Sequence, residues 1–171
     1  DSGKYTFGFT KFDKWVAMCK RCGIEYFEIC HLFTQWGAKS APKVMASVDG
    51  EYKRLFGWET AATSDEYKAF LGAYLPALTA RLQELNIAEK TYFHISDEPT
   101  EENLEDYKAA KSIVEPYLRG FEIIDALSSF EFYKKGVLTK PIPANDHIQP
   151  FIDAKVKGLW TYYCIAQYKD V

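Results

Sequence analysis

The sequence predicts an α/β fold of (β/α)8 TIM-barrel type, incomplete within this chain. Strand-like runs alternate with helical ones, the pattern that builds a parallel sheet covered by helices. Polar and aromatic residues recur near strand ends, at His31, Asp97, Glu98, Asp125, His147 and Tyr162. The carboxyl ends of barrel strands are where side chains converge on a site. About five or six strands can be read in the 171 residues, whereas a closed eight-stranded barrel takes roughly 250. Residues 1–171 are therefore expected to form one barrel domain or a part of one.

The elements follow in order. Lys11 to Arg21 has helical spacing, with Phe12, Trp15, Val16 and Cys19 on one side and Gly23 as its stop. Residues 25–30 read as a strand, followed by an aromatic loop over 31–37. Residues 42–46 are extended, and Asp49-Gly50 signals a hairpin whose return covers Arg54 to Trp58. Ser64 caps a long helix to about Leu85 with Tyr67, Phe70, Leu71, Tyr74, Leu75, Leu78 and Leu82 on its apolar face, and Pro76 is expected to kink it. Thr91 to Ser96 is a strand, Glu101 to about Leu118 a helix, and 121–127 a strand. A short segment around Pro141–Ala144 leads to a helix over Ile148–Ala154, and 158–164 reads as the last strand.

Composition narrows the partners. An apolar content of 47% supports a core, and a net charge of −3 with no basic run argues against nucleic acid. No apolar stretch is long enough to span a bilayer, so no membrane insertion is expected. The chain opens Asp1-Ser2-Gly3 without Met or a signal-peptide pattern, as expected of a piece of a longer protein. Aromatics reach 16%, which suits sugar recognition and an aromatic core equally. Cys19 and Cys22 form a single Cys-x-x-Cys inside a helical pattern and read as packing thiols, while Cys30 and Cys164 read as small apolar fillers. No metal or other cofactor is expected: no second cysteine pair and no His-x-His occur, and there are three histidines in all.

The most informative string is His94-Ile95-Ser96-Asp97-Glu98-Pro99, where a strand hands over to a helix. Neighbours on a strand face opposite ways, so Asp97 and Glu98 can serve one ligand only at a turn. Pro99 stops the strand and should push Glu98 towards extended or polyproline geometry. Acids before a helix often only cap it, but Thr100-Glu101-Glu102 already supplies that function. The pair is thus a candidate site, with His94 more naturally a satisfied core histidine.

The segments HLFTQWGA (31–38), FGWET (56–60), FHISDEP (93–99), IIDALSSFEFYKKG (123–136) and LWTYYC (159–164) resemble, in order, the catalytic domain of glycoside hydrolase family 123, which includes a large bacterial group. The resemblance implies a (β/α)8-type barrel and retaining hydrolysis of β-linked N-acetylgalactosamine, with the substrate's own acetamido group as nucleophile. It makes Glu98 the general acid/base and Asp97 the residue that orients the acetamido group. It also implies further barrel and a β-sandwich beyond this chain, and N-acetylhexosamine-containing glycans or glycoconjugates as partners.

The chemistry suits adjacent acids. A two-carboxylate retaining enzyme needs its groups ~5–5.5 Å apart across the scissile bond, which neighbours at one strand end satisfy poorly. A substrate that carries its own nucleophile removes that demand. For sugar binding, Trp160 and Tyr162 share a face by period two, Trp36 and Trp58 sit in loops beside glycine, and His31, Asp125 and His147 are candidate hydroxyl binders. Three rivals remain: a metal-dependent hydrolase, a two-carboxylate glycosidase with Asp125 or Asp146 as nucleophile, and a non-catalytic carbohydrate-binding domain.

Overall fold

The computed structural model describes residues 5–163. Helix α1 (Thr10–Arg21) buries Val16 and Cys19 and stops where Gly23 turns left-handed at φ 80°. Strand β1 (Phe27–Ile29) follows, then the hairpin of β2 (Val44–Val48) and β3 (Glu51–Phe56). The hairpin turns at Asp49 and Gly50, both at positive φ as the Asp-Gly signal requires. Helix α2 (Asp65–Glu84) starts at Ser64, whose Oγ accepts the Tyr67 N–H at 3.3 Å, and continues through Pro76. It buries Tyr67, Phe70, Leu71, Leu75, Leu78 and Leu82, the stripe expected from the sequence, with Tyr74 half-buried.

Strand β4 (Thr91–Phe93) is shorter than the sequence suggests, because the chain leaves the ladder at His94. The single helix expected over 101–118 is divided. Helix α3 proper (Leu104–Val114) lies between 3₁₀ turns at Glu101–Asn103 and Glu115–Tyr117. Pro116 accounts for the second break, since it brings no amide hydrogen and blocks a preceding carbonyl. Strand β5 (Glu122–Ala126) is followed by a helix not foreseen, α4 (Phe130–Lys134). Residues Lys140–Ile142, expected only as a connecting segment, form strand β6, and α5 (Gln149–Asp153) comes after a 3₁₀ turn. Pro141 and Pro143 concealed that strand. The Ile142 carbonyl bonds Leu127 of the β5 side, so by alternation both prolines turn their missing donors away from β5.

The four strands are parallel in the order β1-β4-β5-β6, with the β2-β3 hairpin apart. The fold is thus mixed α/β with a mostly parallel sheet; a closed eight-stranded barrel is not present among the described residues. The expected last strand over 158–164 reduces to one parallel bridge between Ala144 and Tyr162, with Cys164 outside the described residues. Helices cover one face of the sheet, where Phe27, Ile29, Phe93 and Ile95 join Leu71, Leu75, Leu78 and Tyr107 in the core. The other face carries Glu28, Tyr92 and Glu122 in register, and Lys140 Nζ bonds Glu122 at 2.7 Å while lying over the Tyr92 and Trp160 rings. Cys19 is buried as expected, but Cys22 and Cys30, expected as a packing thiol and a small apolar filler, are exposed. Among the described residues no helix is long and apolar enough to cross a membrane.

Candidate active site

The site is built where β4 ends. The β4–β5 ladder pairs Phe93 with Ile123 and touches again only at Glu98, whose N–H donates to the Ala126 carbonyl at 3.1 Å. Residues 94–98 thus occupy an interval that β5 spans with 124–126. The longer segment bows out, and other groups must satisfy its amides. The Asp125 carboxylate fills the opening by accepting the Ile95 N–H at 3.0 and 3.3 Å. On the opposite side Leu32 and Phe33 donate to the carbonyls of His94 and Ile95, and Trp36 donates to that of Asp97 at 2.8 Å. Ser96 Oγ donates to the Thr34 carbonyl at 2.8 Å.

Backbone strain gathers at this point. Trp36, Gly37 and Ala38 lie in succession at φ 58°, 114° and 59°, and Glu98 lies at φ 44°. Gly37 also packs so tightly on Asn103 that a Cβ there would collide with the Asn103 side chain. The extended geometry expected for Glu98 ahead of Pro99 is therefore not adopted. Its amide bond to Ala126 and the flanking contacts hold it left-handed, a state that costs about 1–3 kcal/mol and tends to occur at functional turns.

Two hollows that share Tyr162 lie beside this turn. A cleft of about 870 Å³ is lined by Glu98, Trp36, Glu101, Ser129, Phe130, His147 and Tyr162, among others. A second hollow of about 400 Å³ is lined by Glu28, His94, Ala126, Ile142, Trp160, Thr161 and Tyr162. Tyr162 is common to both, and its hydroxyl donates to Glu98 Oε1 at 2.9 Å. Both volumes fall in the range of ligand sites, roughly 300–1,000 Å³.

Behind the turn lies a polar chain, buried except at its Glu28 end. Asp125 is fully buried, and besides the Ile95 amide its carboxylate takes a bond from the Tyr107 hydroxyl at 2.5 Å and faces His94 Nδ1 at 3.2 Å. His94 Nε2 faces Glu28 Oε2 at 3.3 Å. Burial pushes the Asp125 carboxyl up to about 6 against the bonds from His94, Tyr107 and Ile95, which pull it down. For His94 burial favours the neutral ring, but the bonds and charges of Asp125 and Glu28 outweigh it and raise its pKa. The His31 ring packs on His94 with centroids 4.9 Å apart. Burial and the neighbouring His94 lower the His31 pKa, while Asp97 and Glu28 act the other way. Tyr107→Phe would leave a buried oxygen of Asp125 without its hydroxyl donor. We expect a loss of about 1–3 kcal/mol in a urea unfolding titration; an unchanged midpoint would show that the bond contributes nothing.

The residues picked from the sequence are distributed as follows. Glu98, Trp36, His147 and Tyr162 line the cleft, with His147 Nδ1 bonded to Asp146 at 2.8 Å, and Trp160 and Tyr162 line the second hollow. Asp97 is half-buried one residue before Glu98 and faces His31 electrostatically. Asp125, read as a hydroxyl binder, instead has its carboxylate enclosed by protein groups. Trp58 is exposed in the turn after β3 and lines neither hollow. Glu28, Tyr107, Ser129 and Phe130 were not picked. An acid between two buried apolar residues of a short strand was the signal available for Glu28, whereas nothing local marks Tyr107. His31, His94 and Asp125 offer donor atoms within 4.8 Å of one another, the one such group among the described residues. The Asp125 and His94 donors are already engaged in the hydrogen bonds above.

Comparison with known proteins places the chain. A family model described as glycoside hydrolase 123, catalytic domain, matches residues 1–170. No curated protein matches the sequence. Among solved structures the fold is similar to that of a family 123 glycoside hydrolase from Clostridium perfringens, studied for the hydrolysis of glycolipid glycans, with a TM-score of 0.62 and 14% identity. The match covers 92% of this chain and 29% of that one, so the chain spans under a third of that enzyme's length. Taken with the acids at the β4 exit, the match over almost every residue assigns this chain to the glycoside hydrolase 123 catalytic-domain family.

Proposed function

We propose that the protein is a retaining glycoside hydrolase that removes β-linked N-acetylgalactosamine from glycans or glycoconjugates by substrate-assisted catalysis, and that its sheet is one wall of a (β/α)8-type barrel. The observation that carries this reading is the position of Glu98. It lines the larger cleft, held by a left-handed backbone and bonded to the hydroxyl of Tyr162, the residue that lines both hollows. An acid that protonates a glycosidic oxygen belongs at the border between the sugar and its leaving group. The inner hollow, walled by Trp160 and Tyr162, suits the terminal sugar, and the outer cleft, with Trp36 and Phe130, suits the aglycone.

In this scheme the acetamido oxygen attacks the anomeric carbon while Glu98 gives its proton to the departing oxygen. Asp97, ionised, accepts the acetamido N–H and offsets the positive charge that grows as the ring closes. Glu98, now a carboxylate, takes a proton from the water that opens the cyclic intermediate, so configuration is retained. The open sheet face fits a barrel interior, since parallel sheets are ordinarily covered on both sides.

Aryl β-glycosides with and without a 2-acetamido group provide the test, run on the longest available form of the protein. Only the acetamido substrates should turn over. A thiazoline mimic of the cyclised intermediate should bind at least about 10²-fold more tightly than free N-acetylgalactosamine in a competition assay. Equal affinities, or hydrolysis of a 2-hydroxy glycoside, would favour a protein nucleophile. Asp125 is enclosed, which leaves Asp146, exposed beside His147, as the carboxylate for that alternative.

A further inference from the structure

The chain Tyr107–Asp125–His94–Glu28, buried except for its exposed Glu28 end, has no part in bond making or breaking in the scheme above, although His94 and Glu28 line the inner hollow; it backs the segment that carries both acids. Three observations give it a role. Asp125 takes the place of a missing ladder partner for Ile95, two residues before Asp97. His94 stands between two carboxylates from different strands, Asp125 on β5 and Glu28 on β1. His31 packs on His94 and interacts electrostatically with Asp97, so the ring pair bridges His94 to one of the two acids.

We propose that a protonated His94, clamped between Asp125 and Glu28 and braced by Tyr107, is the positioning residue that holds the opened β4 exit in the geometry presenting Asp97 and Glu98. The proposal rests on the glycosidase reading for its effect on turnover, but not for its structural part. Charge on His94 locks the exit by drawing Asp125 and Glu28 towards one ring. Loss of that proton leaves two carboxylates on an uncharged imidazole, and the restraint on residues 94–98 weakens. His94 as imidazolium also disfavours a proton on His31, which stays neutral beside Asp97.

The titratable groups facing His94 are Glu28, His31, Asp125 and, through Asp125, Tyr107. Signs follow from linkage. A histidine raised in the folded state contributes stability that is complete below about pH 6.5 and lost as pH rises through its folded value. Asp125, raised to about 6, acts in the same sense over the lower window of about pH 4–6. His31, lowered, acts oppositely, and its contribution is complete by about pH 6.5. Above that pH the slope belongs to His94.

The experiment compares the full chain with Asp125→Asn and with Glu28→Gln, the latter at an exposed side chain on the rim of the inner hollow, where folding should be preserved. The His94 ring is followed by NMR titration, the 95–98 amides are followed alongside, and kcat/KM on an aryl 2-acetamido glycoside is measured against pH. In wild type His94 should titrate above its ordinary value, with the amides moving in step and kcat/KM falling on the alkaline side at the same pH. Asp125→Asn should move all three down by about one to three pH units, with kcat affected and KM nearly unchanged; Glu28→Gln should move them in the same direction. A purely structural carboxylate would lower stability and leave the midpoint of the pH profile in place. His94 titrating at or below its ordinary value in wild type, or unmoved in both variants, overturns the proposal. Coupled ring and amide shifts without hydrolysis of any 2-acetamido substrate would instead uphold the clamp and refute the glycosidase reading.

Discussion

Glu98→Gln should lower kcat/KM on glycosides with poor leaving groups by about 10²–10⁴-fold, the usual contribution of a positioned general acid. The substitution is nearly isosteric and keeps the oxygen that accepts from the Tyr162 hydroxyl, so the turn at φ 44° and the wall shared by the two hollows should survive. What is lost is the proton for the departing oxygen. The signature is therefore selective. A dinitrophenyl glycoside needs little protonation to leave, so its first step should be almost unaffected and the deficit should pass to the second step, where Glu98 would act as base. Stopped-flow measurement of the released phenol should show a burst followed by slow turnover. A uniform loss on good and poor leaving groups alike would remove Glu98 from the acid role.

Asp97→Asn is the second large effect, expected to cost about 10²–10³-fold in kcat, the magnitude seen when one electrostatic stabiliser of a developing charge is removed. The Asp97 backbone is pinned by the Trp36 N–H at 2.8 Å, so the amide should occupy the same place without the charge. Asparagine turns an obligate acceptor into a group that can also donate, and it no longer offsets a cationic intermediate. The thiazoline preference expected of the wild-type protein should collapse with the rate, while affinity for free sugar changes little. Retention of both rate and preference would show that Asp97 serves only to shape the turn.

These two acids stand out in the sequence as candidates because the signal is local. Adjacent carboxylates before a proline, with the helix-capping duty already met by Thr100-Glu101-Glu102, left a surplus that needed a use. The hairpin at Asp49-Gly50, the stripe of α2 and the stop at Gly23 were equally local, each set by backbone preference or a 3.6-residue period. Strand β6 was missed because its prolines argue against a strand until the side of the missing donors is known, and only the neighbouring strands reveal that. The enclosure of Asp125 was hidden from the sequence for a related reason. An acid near a strand end looks like a ligand group, and nothing within its own segment says that Tyr107 and His94 enclose it.

The chain alone thus determined the long helices, most of the strands and the Asp49-Gly50 hairpin, and it set the two acids side by side, since these depend on residues within a few positions of one another. Tertiary structure decided which of the acids faces the cleft, that Tyr162 reaches Glu98 across 64 positions, and that His94 finds Asp125 across 31. Side-chain neighbours of that kind are set by how crossovers stack strands from distant segments, and a bowed-out ladder opens room for a carboxylate only once both strands are in place. Local preference contains no information about either event.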